Sequence, residues 1–101
     1  MRKSYLKFSI PDITQKEIDE VVTTLKSGWL TTGKKTQLFE KNFADYTGAK
    51  YAIALSSCTA ALFLSLIVEG IQAGDEVITT PFTFVSTANV GHHLGAKPVF
   101  V

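Results

Sequence analysis

The sequence predicts an α/β fold in which parallel strands form a sheet covered by helices. Two observations carry this expectation. From Lys50 onward, short apolar runs alternate with helical runs in the order strand, helix, strand, helix, strand. The connections are only a few residues long and are punctuated by glycine or proline.

The first helix is expected over residues 14–27. Thr14 and Glu17 stand three apart, as in a capping box, with Ile13 and Ile18 at the flanking staple positions. Ile18, Val21, Val22 and Leu25 follow helical spacing and predict one buried stripe, and Gly28 is the stop. After the loop 28–35, a second helix is expected over 36–47, with Phe39, Phe43 and Tyr46 on one face and Gly48 as its end. Residues 51–56 read as a buried strand. Residues 59–69 read as a helix, apolar nearly all round and therefore buried, stopped by Gly70. Gly74-Asp75 turns the chain into a strand over 76–80 closed by Pro81. A helix over 84–94 ends at Gly95, and residues 97–101 begin another strand. Because the sequence stops at Val101 inside an apolar strand, a truncated domain is expected rather than a complete one.

Composition excludes several classes. The 101 residues are 46% hydrophobic and 19% charged, unlike disordered or low-complexity chains. Ten Lys and Arg against nine Asp and Glu leave a net charge of +1, and no basic cluster exceeds Lys34-Lys35, which argues against nucleic-acid binding. The single cysteine allows no internal disulfide, and a reducing cytoplasmic setting follows. The longest apolar run, residues 60–68, is broken by Ser65 and falls short of the roughly 20 residues that span a bilayer. No export signal is visible, so a soluble protein without a membrane partner is expected.

Three segments could carry chemistry. Ser56-Ser57-Cys58-Thr59-Ala60-Ala61 leads from a strand directly into a helix. Open N–H groups and the positive helix end favour an anion there, and small side chains let it approach. The plainer reading is that Ser57 caps the helix. The segment is neither a dinucleotide fingerprint nor a phosphate loop, so ordinary dinucleotide or nucleoside triphosphate sites are unsupported. Cys58 lacks an identifiable base and reads as a small residue that contributes its backbone N–H. The second segment is Thr79-Thr80-Pro81-Phe82-Thr83-Phe84-Val85-Ser86-Thr87, at the carboxyl end of a strand, where open parallel sheets place ligands. One of its aromatics can stack on a flat ring; the plainer reading is that both Phe82 and Phe84 are core, and Phe82 in particular reads so. The third is the loop 28–35, where Trp29 is either a core anchor or a ligand contact and Lys34 and Lys35 read as solvated charges. His92 and His93 are adjacent and diverge on a helix, so no metal site is indicated.

Taken together and in this order, the segments resemble the N-terminal part of the DegT/DnrJ/EryC1/StrS family of pyridoxal 5'-phosphate (PLP)-dependent sugar aminotransferases. The resemblance covers nearly the whole chain. It lies in Gly28-Trp29-Leu30-Thr31-Thr32-Gly33, Phe39-Glu40 with Phe43, Tyr46-Thr47-Gly48-Ala49, Ser56-Ser57-Cys58-Thr59-Ala60-Ala61-Leu62, Gly74-Asp75-Glu76-Val77-Ile78 and Thr80-Pro81-Phe82-Thr83-Phe84-Val85-Ser86-Thr87-Ala88-Asn89.

The resemblance implies an aspartate-aminotransferase-like fold, PLP fold type I, with a mainly parallel sheet that is incomplete in this chain. Residues 1–35 would form a helix and substrate loop, and 36–101 would start the PLP-binding large domain. Cys58 and Thr59 match positions that hold the PLP phosphate, Phe84 the aromatic that stacks on the pyridine ring, and Trp29, Leu30 and Thr31 a stretch lining the sugar-nucleotide site. Many relatives have Gly or Ala in place of Cys58, a change that keeps the backbone donor.

The family's Schiff-base lysine and the acidic partner of the pyridine nitrogen lie downstream of the matched region, so no catalytic residue is assigned here. The implied reaction moves an amino group, usually from glutamate, to a nucleotide-linked keto-sugar for polysaccharide biosynthesis, in a homodimer. The alternatives are a sugar dehydratase of the same family, a non-catalytic remnant or interaction module, and a nucleotide-phosphate-binding module.

Overall fold

Thr14 opens the first helix by taking an extended backbone (φ −97°, ψ 178°) and turning its hydroxyl toward the helix start. Its Oγ1 accepts the Lys16 N–H at 3.3 Å, and Glu17 Oε2 accepts the Thr14 N–H at 2.6 Å. This is the expected capping box. The structure is a computed structural model that describes residues 4–101, in two compact units that meet between Ala52 and Ile53.

In the first unit, α1 spans Gln15–Ser27 and closes at Gly28, whose φ of 72° is left-handed. Helix α2 spans Lys34–Thr47 and ends at Gly48 (φ 73°). It begins two residues before the expected 36 because the extended Gly33 serves as its N-cap, with the Gln37 N–H reaching Gly33 O at 3.0 Å. Lys35 of α2 forms an ion pair with Glu20 of α1. The Phe39 and Phe43 rings lie 5.9 Å apart, one helical turn along α2. The expected buried stripe is not buried: Ile18, Val21, Val22 and Leu25 are each 40–59% exposed. The spacing correctly gave an amphipathic helix, but periodicity says which face is apolar and not that something covers it.

The second unit is a βαβ arrangement with one further helix. Strands β1 (Glu76–Thr79) and β2 (Lys97–Phe100) pair in parallel, Glu76 opposite Lys97 and Ile78 opposite Val99. Helix α4 (Ser86–His93) makes the crossover between them, as parallel neighbours require. Helix α3 (Cys58–Val68) packs against α4. Both helices end alike. Gly70 and Gly95 take φ of 77°, and the next residue's N–H reaches back to Leu66 O after α3 and to Gly91 O after α4, each at 3.0 Å. Val90, Gly91 and Ala96 form the buried centre of this unit.

Two expectations fail here. Residues 51–56 form no strand, because a strand exists only against a neighbour and the two described strands pair with each other. Helix α3 is not buried. None of its residues is enclosed, and Leu64, Ile67 and Val68 are exposed, since α4 packs on only one side of it.

Candidate functional site

The start of α3 is built by Ser57. Its backbone is extended (φ −160°, ψ 157°), its Oγ accepts the Ala60 N–H at 3.1 Å, and its carbonyl accepts the Ala61 N–H at 3.1 Å. Capping is thus the observed role of Ser57. It also settles which donors stay open. Among the described residues, the N–H groups of Cys58 and Thr59 have no acceptor. Both residues are exposed, so the two N–H groups, the Thr59 hydroxyl and the positive helix end lie at the surface together. Capping and anion binding, alternatives in the sequence, are compatible in the structure because they use different N–H groups.

Phe84 lies in the segment between β1 and α4. Its carbonyl accepts the Thr87 N–H at 3.0 Å, and its side chain is 75% exposed. Around it, Thr80 Oγ1 accepts the Phe82 N–H at 3.2 Å, and the Thr83 and Thr87 hydroxyls lie 3.2 Å apart. Phe82 is not core, as its side chain is fully exposed. Pro81 prevents the strand from continuing, and the turn that follows turns this ring outward.

In the first unit, residues 29–32 form a tight loop between α1 and α2. Ser27 Oγ accepts the Trp29 N–H at 3.2 Å, and the indole Nε1–H donates to Thr32 O at 3.0 Å. Trp29, Leu30 and Thr31 all border an open hollow of about 910 Å³. Trp29 is therefore not a core anchor. Lys34 and Lys35 border the same hollow. Lys35 is held by Glu20, whereas Lys34 has no ion-pair partner among the described residues. The sequence reading assigned nothing to Gly33, yet a Cβ there would lie 2.5 Å from Trp29 Cδ1. The visible signal was the glycine four residues after the tryptophan, but only the folded loop brings the two together.

Among the described residues, no group of three His, Cys, Asp or Glu side chains is placed to hold a metal ion, and no helix is long and apolar enough to cross a membrane.

Comparison with known proteins gives this geometry a context. The chain is 59% identical over 99 residues to the spore coat polysaccharide biosynthesis protein SpsC of Bacillus subtilis, covering 98% of this chain and 25% of SpsC. It is 48% identical over 101 residues to the UDP-4-amino-4-deoxy-L-arabinose–oxoglutarate aminotransferase of Shewanella sediminis, covering 26% of that protein. Among solved structures, the PLP form of Spr1654 from Streptococcus pneumoniae, described as a sugar aminotransferase, superposes with a TM-score of 0.86 at 48% identity, covering 95% of this chain and 24% of that one. An aminotransferase from Psychrobacter cryohalolentis gives 0.84 at 42% identity, covering 93% and 25%. The chain thus spans about a quarter of the length of these relatives. Its fold is the corresponding part of PLP fold type I, with the parallel α/β arrangement that the sequence predicts. The sequence pattern of the DegT/DnrJ/EryC1/StrS aminotransferase family matches residues 11–101, and the chain belongs to that family.

Proposed function

We propose that this chain is part of a PLP-dependent aminotransferase that moves an amino group from glutamate to a nucleotide-linked keto-sugar in polysaccharide biosynthesis. It would work as a homodimer in the cytoplasm. Residues 1–35 would contribute a substrate loop, and residues 36–101 would open the cofactor domain. The observation that carries the reading is the pair of open N–H groups at Cys58 and Thr59, a donor set that fits a phosphate monoester. The names of the relatives support the sugar and the amino transfer.

In this reading, Ser57 fixes the helix start by holding the Ala60 N–H, so the Cys58 and Thr59 donors would hold the phosphate without rearrangement. The Thr59 hydroxyl adds a third donor. Phe84, whose side chain is exposed, would offer a ring face to the cofactor's flat ring. Trp29, Leu30 and Thr31, which border the hollow of the first unit, would line the surface for the nucleotide sugar. PLP, when bound, supplies the electron sink that amino transfer requires. The residues named here bind and orient. None of them is assigned the proton transfer.

The test is an assay of the natural polypeptide that bears this sequence. With PLP, glutamate and a UDP-linked 4-keto-sugar, 2-oxoglutarate and a UDP-linked amino sugar should appear in equal amounts. Loss of water from the sugar without consumption of glutamate would overturn the aminotransferase reading.

A further inference from the structure

We propose that Gly33 is a positioning residue for Trp29, and that Trp29 meets the nucleobase of the sugar nucleotide through its ring face. The second half rests on the reading that residues 29–31 line the sugar-nucleotide site.

Gly33 is not demanded by its backbone, which is extended (φ −167°, ψ −155°) in a way that any residue adopts. Space demands it. A Cβ at this position would stand 2.5 Å from Trp29 Cδ1 and closer still to Nε1, nearer than real Cβ atoms approach anything. The indole therefore rests on the bare α-carbon of Gly33. From there its Nε1–H reaches Thr32 O at 3.0 Å. At the other end of the residue, Ser27 Oγ holds the Trp29 N–H at 3.2 Å while donating to Thr24 O at 2.7 Å. Both the backbone and the edge of Trp29 are thus fixed by the loop itself.

That arrangement limits what the ring can recognise. Nε1–H is the only polar group of an indole, and it is already used. The side chain remains 64% exposed and borders the hollow of about 910 Å³ together with Thr31 and Lys34. A ligand in that hollow meets an apolar π face, which favours a flat, polarisable partner. In a nucleotide sugar, the flat part is the base. A ring fixed beforehand also loses little freedom on binding, which favours affinity.

The experiment uses the natural polypeptide and follows Trp29 emission as the difference between each protein and its Trp29→Phe counterpart. UDP is expected to quench this emission, whereas glucose 1-phosphate, which carries no base, is not. Gly33→Ala is expected to change the emission without ligand and to weaken UDP binding about tenfold, within the range that base stacking supplies. With UDP affinity read by equilibrium dialysis, Gly33→Ala in a Trp29→Ala background should add no further loss, because the effect of Gly33 on UDP binding runs through the indole.

Unchanged ligand-free emission in Gly33→Ala, or an equal loss in the Trp29→Ala background, overturns the positioning role. Quenching by glucose 1-phosphate but not UDP overturns base stacking. If UDP does not bind the wild-type protein, the nucleotide-sugar reading falls with it, but the ligand-free emission still decides the role of Gly33. Should Gly33→Ala not fold, Trp29→Phe decides, since it deletes the indole N–H and keeps an aromatic face. Its loss of UDP affinity should be smaller than that of Trp29→Ala, and an equal loss overturns the proposal.

Discussion

The phosphate contact proposed for Cys58 comes from its backbone, so the side chain and the N–H separate in their consequences. Cys58→Ala keeps the donor at the first position of α3, and PLP affinity should stay within about twofold of wild type because the helix end is unchanged. Cys58→Pro removes the donor at a position that suits proline, since the first residue of a helix needs no N–H bond. Ser57 already has the extended backbone that the residue before a proline adopts. Circular dichroism should therefore show an intact fold, while equilibrium dialysis should show PLP affinity reduced about tenfold or more, the value of one hydrogen bond to a charged group. Equal affinities for the two variants would place the phosphate elsewhere. The role of Ser57 was legible because N-capping depends on residue type and position alone. The open pair of N–H groups was legible only as one of two alternatives.

At the scale of elements, glycines of the same unit have opposite needs. Gly91 in α4 is buried, but a Cβ there would meet Val77 Cγ2 at 3.7 Å and Leu66 Cδ1 at 4.0 Å, which is ordinary packing distance. Gly91→Ala should stabilise α4 by up to about 1 kcal/mol through helix propensity. Gly95 has a φ of 77°, and a Cβ would lie 2.9 Å from that of Ala73, so Gly95→Ala should destabilise by at least about 1 kcal/mol. Urea denaturation of the natural polypeptide should shift in opposite directions for the two.

Helix α1 adds a pH dependence. The Thr14 hydroxyl and N–H beside Glu17 hold its carboxyl below the usual carboxylate range. A depressed folded-state value stabilises above the unfolded value, and that contribution is lost as pH falls through the lowered one. Thr14→Ala should cost about 1 kcal/mol at neutral pH, as lost caps do, and its denaturation curve should converge toward wild type in acid. Helix boundaries were legible to within about two residues because caps and glycine stops are local signals. Residues 51–56 read as a strand from local pattern alone, but a ladder depends on a distant partner, and the resemblance to fold type I already implied that this segment has no sheet neighbour within the chain.

For the molecule as a whole, the decisive fact is how little apolar surface is enclosed. Among the described residues, the buried hydrophobic core is Val90 and Ala96, both small, while the stripe of α1 and the outer side of α3 stay exposed. The fold class was legible because alternating strands and helices admit few arrangements, and β1–α4–β2 is one of them. Burial was not, since the sequence marks a face as apolar whether or not anything lies against it. Fully burying a Leu, Ile or Val side chain contributes about 1.5–3 kcal/mol, whereas ordering each residue costs a comparable amount, so the two small side chains buried among the described residues offset little of that loss. The expectation is that a polypeptide of these 101 residues does not fold cooperatively by itself. Calorimetry should show no sharp endotherm, and a dye that fluoresces on apolar surfaces should bind at room temperature. A single cooperative transition, near the roughly 60–80 kcal/mol usual for a chain of this length, would mean that these faces find partners within the chain itself.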